Sequence, residues 1–96
     1  MPAYRLDIPR HVAEVIQHLP PELKRSIKSA LQALGRDPAL GEPLMRELEG
    51  SWKYRVRRFR IVYALDRGNR ILRIFAVGHR RTIYEAVAAL VRDREL

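Results

Sequence analysis

The sequence predicts an α+β domain: an antiparallel β-sheet with an N-terminal helical hairpin and a C-terminal helix packed on it. Three observations carry this. Apolar residues recur at helical spacing on both sides of Pro20-Pro21, three β-rich runs lie between Trp52 and Val77, and helical spacing returns from Ile83 onward. The order is strand, helix, helix, strand, strand, strand, helix. With 96 residues there is room for one modest core, so residues 1–96 are expected to form a single domain.

Each element has its own signal. In Ala3 to Ile8, Tyr4, Leu6 and Ile8 alternate with Arg5 and Asp7, the pattern of a strand with one buried face. Pro9 suits the start of a helix whose stripe is Val12, Val15, Ile16 and Leu19. Pro20-Pro21 ends that helix and opens the next, whose stripe of Leu23, Ile27, Ala30, Leu31 and Leu34 closes at Gly35 before Pro38. Two helices joined by so short a turn form a hairpin that packs as a unit. Asp37 to Gly50 mixes Gly, Pro and charge and reads as a loop holding Leu44, Met45 and Leu48 against the core. Strands are expected at Trp52 to Val56, Phe59 to Leu65 and Ile71 to Val77, the last two joined through Arg67-Gly68-Asn69. Thr82 to Glu85 has the spacing of a capping box, and Ile83, Val87, Leu90 and Val91 form the stripe behind it.

Composition narrows the function. Without cysteine there is no disulfide framework and no thiolate metal site. No apolar run approaches the roughly 18 residues of a membrane span, and the N-terminus lacks the apolar core of a signal peptide. A cytoplasmic protein without a membrane partner is expected. His11 and His18 have no nearby third ligand, so no metal site is expected, and no phosphate-binding glycine loop or nucleophile elbow points to a cofactor or a hydrolase.

Charge is the informative property. The net charge is +8, and all of the excess sits in the second half: residues 1–50 hold seven Lys/Arg against seven Asp/Glu, and residues 51–96 hold twelve against four. Such a face favours a polyanion or an acidic partner. Strand alternation places Lys53, Arg55 and Arg57 on one side, away from Trp52, Tyr54 and Val56, and Arg60 on the neighbouring strand can join that row. Like charges opposed on a sheet destabilise it by about 0.2–1 kcal/mol per pair, which a structural role would not require. A chain of phosphates would neutralise them. The turn residues Arg57-Arg58 resist the positive φ of a two-residue hairpin, so the turn is either wider than it looks or strained.

A second cluster is Val77 to Ala86. With Thr82 capping the last helix, Arg80 and Arg81 lie just before its N-terminus, where unpaired N–H groups favour a phosphate, and Tyr84 in the first turn offers a ring to an unstacked base. His79 can serve as a base beside Arg80, or end a strand with a satisfied imidazole; the second is the commoner role.

The runs ELEGSWKYRVRRFRIVYALD and RILRIFAVGHRRTIY resemble the RelE/ParE superfamily of toxins from toxin–antitoxin pairs, and its RelE branch in particular. The resemblance covers nearly the whole chain and implies a RelE-like fold. It also implies a toxin that cuts messenger RNA in the ribosomal decoding site, by attack of a ribose 2′-hydroxyl on the adjacent phosphate, and that is silenced by a cognate antitoxin. Carried over by position, Lys53, Arg55, Arg60, Arg80 and Tyr84 are the implied catalytic residues: Arg60 and Arg80 on the pentavalent phosphate, Lys53 and Arg55 on the backbone, Tyr84 on the base. Arg57, Arg58, His79 and Arg81 are the implied RNA contacts. The chain departs from the family at Ser51, where some members have lysine, and at Arg57-Arg58, where small turn residues are usual. Two other readings stay open: a ParE-like inhibitor of DNA gyrase, and an inactive homologue that only binds its antitoxin.

Overall fold

A computed structural model describes residues 3–44 and 50–95, excluding the side chains of residues 91 and 93–95. Its elements run β1 (Arg5–Asp7), α1 (Arg10–Gln17), α2 (Pro21–Arg36), a single 3-10 turn (Pro38–Leu40), β2 (Glu42–Pro43), β3 (Ser51–Val56), β4 (Phe59–Asp66), β5 (Ile71–His79) and α3 (Ile83–Glu95). The expected α+β class and element order are observed. One short strand, β2, emerges from the segment read as loop. Met45 and Leu48, assigned to the core from sequence, lie outside the described residues, while Leu44 does pack inward.

The sheet order is β1-β5-β4-β3-β2. The β3–β4 and β4–β5 pairs are antiparallel as expected and the β2–β3 pair is antiparallel too, whereas β1 runs parallel to β5, with Arg5 opposite Ile71. The sheet is therefore mixed. A parallel neighbour needs a long connection, and here the helical hairpin and three strands intervene between β1 and β5. Pro43 sits on the edge strand, where its missing N–H does not interrupt a central ladder.

Helices cover both faces. On one, α1 and α2 bury Val12, Ile16, Ile27, Leu31 and Leu34 against Val56, Ile61, Tyr63, Leu72, Ile74 and Val77. On the other, α3 buries Ile83 and Val87 against Val62 and Ala76, with Leu44, Phe75 and Tyr84 packed around them. Each fully buried aliphatic side chain contributes about 1.5–3 kcal/mol, so the hairpin side is the main core and α3 the lesser one. The apolar stripe expected of α3 is shorter than its sequence implies, because Leu90 is exposed; Val91 lies outside the described side chains. Val15 of the α1 stripe is exposed as well.

Gly35 does not follow α2; it lies buried in its last turn, where its carbonyl accepts from Tyr4 N–H at 2.8 Å and brings β1 close to the helix. The β4–β5 register shifts between Val62 and Tyr63, leaving Phe75 as the extra residue. Its carbonyl oxygen lies 3.0 Å from His11 Nε2, which gives His11 a structural partner and ties α1 to β5.

Candidate functional site

Cross-strand register assembles the cationic row. Lys53 stands opposite Val62, and Arg55 stands directly opposite Arg60, which in turn faces Gly78. Opposed residues in an antiparallel ladder share a face, and Val62 packs under α3, so Lys53, Arg55 and Arg60 all belong to the α3 side of the sheet. Lys53 Nζ sits 6.0 Å from the centroid of the Tyr84 ring, which joins the row to the first turn of α3. A Cβ on Gly78 would come within 3.0 Å of Ile83 Cδ1, so glycine there lets the start of α3 lie close to Arg60's strand.

The hairpin tip resolves as a tight turn, and it is strained rather than wide. Arg57 has φ = 56°, a left-handed conformation that L-residues other than Asn and Asp seldom adopt. Arg60 Nη1 donates to the carbonyls of Arg57 (3.1 Å) and Phe59 (2.8 Å), so its guanidinium braces the tip from below. The Arg58 carbonyl accepts from Arg80 N–H at 2.8 Å. That bond ties the segment before α3 to the tip and fixes the backbone from which the exposed Arg80 side chain projects.

Thr82 precedes the first residue of α3, and its carbonyl accepts from Ala86 N–H, so it occupies the capping position expected from sequence. Arg80 and Arg81 thus flank the N-terminus of α3, both exposed. His79 is placed differently from the others. It pairs with Phe59 across the ladder, its ring meets the Phe59 ring edge-on at 5.9 Å, and Phe59 packs toward the helical hairpin. Its Nδ1 accepts from Arg81 N–H at 3.2 Å. The imidazole therefore ends a strand with a satisfied nitrogen, on the side opposite Lys53 and Arg55.

Among the described residues the ion pairs are Arg10–Glu14, Arg73–Asp7 and Arg73–Asp66. None involves Lys53, Arg55, Arg57, Arg58, Arg60, Arg80 or Arg81, so the row's charge is not neutralised by these carboxylates. One residue that sequence reasoning missed is Glu42. It lies on β2 directly opposite Lys53, and hence on the same face. Its signal in the sequence is faint, because a two-residue strand has no alternation to read.

Comparison with known proteins agrees with this architecture. A family model described as the ParE toxin of the type II toxin–antitoxin system, parDE, matches residues 5–84. Toxin RelG of Mycobacterium tuberculosis is 34% identical over 71 residues, covering 72% of this chain and 82% of that protein. The toxin–antitoxin complex RelBE2 from the same organism contains a chain that superposes with a TM-score of 0.74 at 28% identity, over 82% of this chain and 93% of that one. A mutant of the Escherichia coli toxin RelE in the free state gives 0.73 at 20% identity, over 98% and 99%. The last likeness bears on the fold alone.

Proposed function

The chain belongs to the RelE/ParE superfamily of type II toxin–antitoxin toxins, and from that premise we propose that it is an endoribonuclease that cuts messenger RNA on the ribosome and is silenced by a cognate antitoxin. The observation that carries this reading is the cationic row: Lys53 and Arg55 share one sheet face with Arg60, without an ion pair among the described residues, and Tyr84 stands beside Lys53. A row of like charges held at the expense of stability fits a polyanionic substrate.

In this mechanism the RNA backbone lies along the row, with a base against Tyr84. The 2′-oxygen of one ribose forms a bond to the adjacent phosphorus while the bond to the 5′-oxygen of the next nucleotide breaks, leaving a 2′,3′-cyclic phosphate and a 5′-hydroxyl. Arg80 and Arg60 stabilise the extra negative charge of the pentavalent phosphate, Arg60 after leaving the tip carbonyls it braces in the free protein. Lys53 and Arg55 hold the backbone. The proton lost by the 2′-hydroxyl goes to Glu42, the carboxylate opposite Lys53, and the departing 5′-oxygen takes one from a neighbouring cation or water. Much of the rate then comes from the ribosome holding the substrate in line.

Induced expression should arrest growth and create new messenger ends, and Arg80→Ala or Tyr84→Ala should relieve the arrest while the protein stays folded. Undiminished toxicity in both variants refutes the assigned site. The match to the ParE toxin model favours a second reading, inhibition of DNA gyrase. It predicts loss of supercoiling activity with intact messenger ends, so the two assays run together separate the readings. An acidic antitoxin segment laid across the row would compete with RNA and remove its self-repulsion. The likeness to a chain of the RelBE2 toxin–antitoxin complex supports such a partner.

A further inference from the structure

We propose that Tyr63 is a positioning residue of the cationic face: its buried hydroxyl clasps the turn leading into β2 and thereby holds Glu42 in register with Lys53. This role rests on the reading of Lys53 and Glu42 as members of the RNA site. Tyr63 itself is fully buried on the opposite, helical-hairpin side of the sheet, stacked on Trp52 with ring centroids 6.3 Å apart, and cannot touch a substrate.

The hydroxyl donates to the Pro38 carbonyl at 2.7 Å and packs closely against Gly41. One oxygen atom thus bonds one end of the Pro38–Gly41 segment and packs against the other. The next residue along the chain is Glu42, opposite Lys53. Gly41 has no space to spare: a Cβ there would overlap the Tyr63 hydroxyl oxygen and come within 2.5 Å of the Lys53 carbonyl oxygen. The α-carbon of Gly41 is therefore wedged between the clasp and the backbone of Lys53.

Such a clasp is needed because β2 is only two residues long, too short to hold itself by ladder bonds. On its far side the described anchor is Leu44 N–H to the Ser51 carbonyl, 2.8 Å. Past Lys53, the residues Tyr54 to Val56 have no strand partner on that side among the described residues. With the clasp released, the free edge would extend back through Lys53. Its ammonium would lose the fixed backbone that places it by Tyr84, and Glu42 would lose its register.

The test is nuclear magnetic resonance of Tyr63→Phe without RNA, reading two signals of Lys53: its amide hydrogen exchange, and the ring-current shift of its side-chain methylenes, with Tyr84→Leu defining the value without the ring. The expected result is exchange at Lys53 faster by roughly tenfold, with the methylene shift moving toward the Tyr84→Leu value, while the core amides of Leu72 and Ile74 keep their rates. Unchanged Lys53 signals, or equal acceleration throughout the core, overturn the proposal. If Tyr63→Phe fails to fold, the parent decides: a Tyr63 hydroxyl proton that exchanges in step with the Lys53 amide supports the role, and a Lys53 amide that exchanges independently of it refutes it. No RNA enters these measurements, so failure of the clasp and failure of the ribonuclease reading are separate results.

Discussion

Arg55 and Arg60 stand directly opposite each other across the β3–β4 ladder, and Arg60 turns its guanidinium back onto the carbonyls of Arg57 and Phe59. The pair repels, and the tip supplies acceptors that draw one of the two charges aside. Stability and anion binding are therefore set against each other at this pair.

Arg55→Gln should raise folding stability by about 0.2–1 kcal/mol, since it removes a like-charge pair from the ladder. Its affinity for single-stranded RNA should fall, and the slope of log affinity against log salt should shrink by about 0.7 if one phosphate contact is lost. Denaturant midpoints and a salt titration of RNA binding check both. Equal salt slopes in the two proteins would remove Arg55 from the interface.

Arg57→Gly should stabilise the protein by roughly 0.5–1 kcal/mol, because glycine adopts φ near 56° without the penalty an L-side chain carries, offset in part by its greater freedom when unfolded. Thermal unfolding measures it. A destabilised Arg57→Gly would mean that the arginine side chain makes a compensating contact at the tip.

Burial pushes the Tyr63 hydroxyl up to about 12, with nearby Asp37 adding to the rise and the Gly41 N–H opposing it. The unfolded chain keeps the ordinary value of 10.0, so its tyrosine loses its proton first as pH rises. The contribution is fully present below pH 10.0 and is lost progressively as pH rises from there through about 12. Stability curves of the parent and Tyr63→Phe should converge across that window, and curves that stay parallel there would contradict a buried neutral hydroxyl.

At the other end of the sheet, hydrogen bonds from the Asn69 side chain and backbone hold the Asp66 carboxyl below its usual range, assisted by Arg73. A lowered folded value means that stability is present above the ordinary carboxylate range and is lost as pH falls through the folded value. Asn69→Ala should move the Asp66 titration upward, toward the ordinary range. Carbon-detected titration of the carboxyl reads it directly, and an unmoved Asp66 would assign the effect to the backbone N–H of residue 69 and to Arg73 instead.

Much of the fold was legible because its signals are local. The stripes at Ile27, Leu31 and Leu34 on α2 and at Ile83 and Val87 on α3 have helical period, and the alternation from Trp52 to Val56 has the period of a strand, so each element could be placed before its partners were known. Leu90 misled because period reports which face is apolar but not how far a neighbour extends to cover it. The parallel pairing of β1, the extra residue at Phe75 and the two-residue β2 left no local pattern at all.

The sequence by itself determined that one sheet would carry an excess of positive charge near the start of a helix, because strand alternation and the unequal division of arginines are properties of the chain alone. Only the tertiary structure decided which of those residues meet: Arg55 opposite Arg60, Lys53 beside Tyr84 and across from Glu42, and His79 turned to the other side. The physical reason is register. Which residue faces which across a ladder follows from turn conformation, bulges and the packing of distant segments such as the Pro38–Gly41 turn on Tyr63, and none of these is encoded in the period of a single strand.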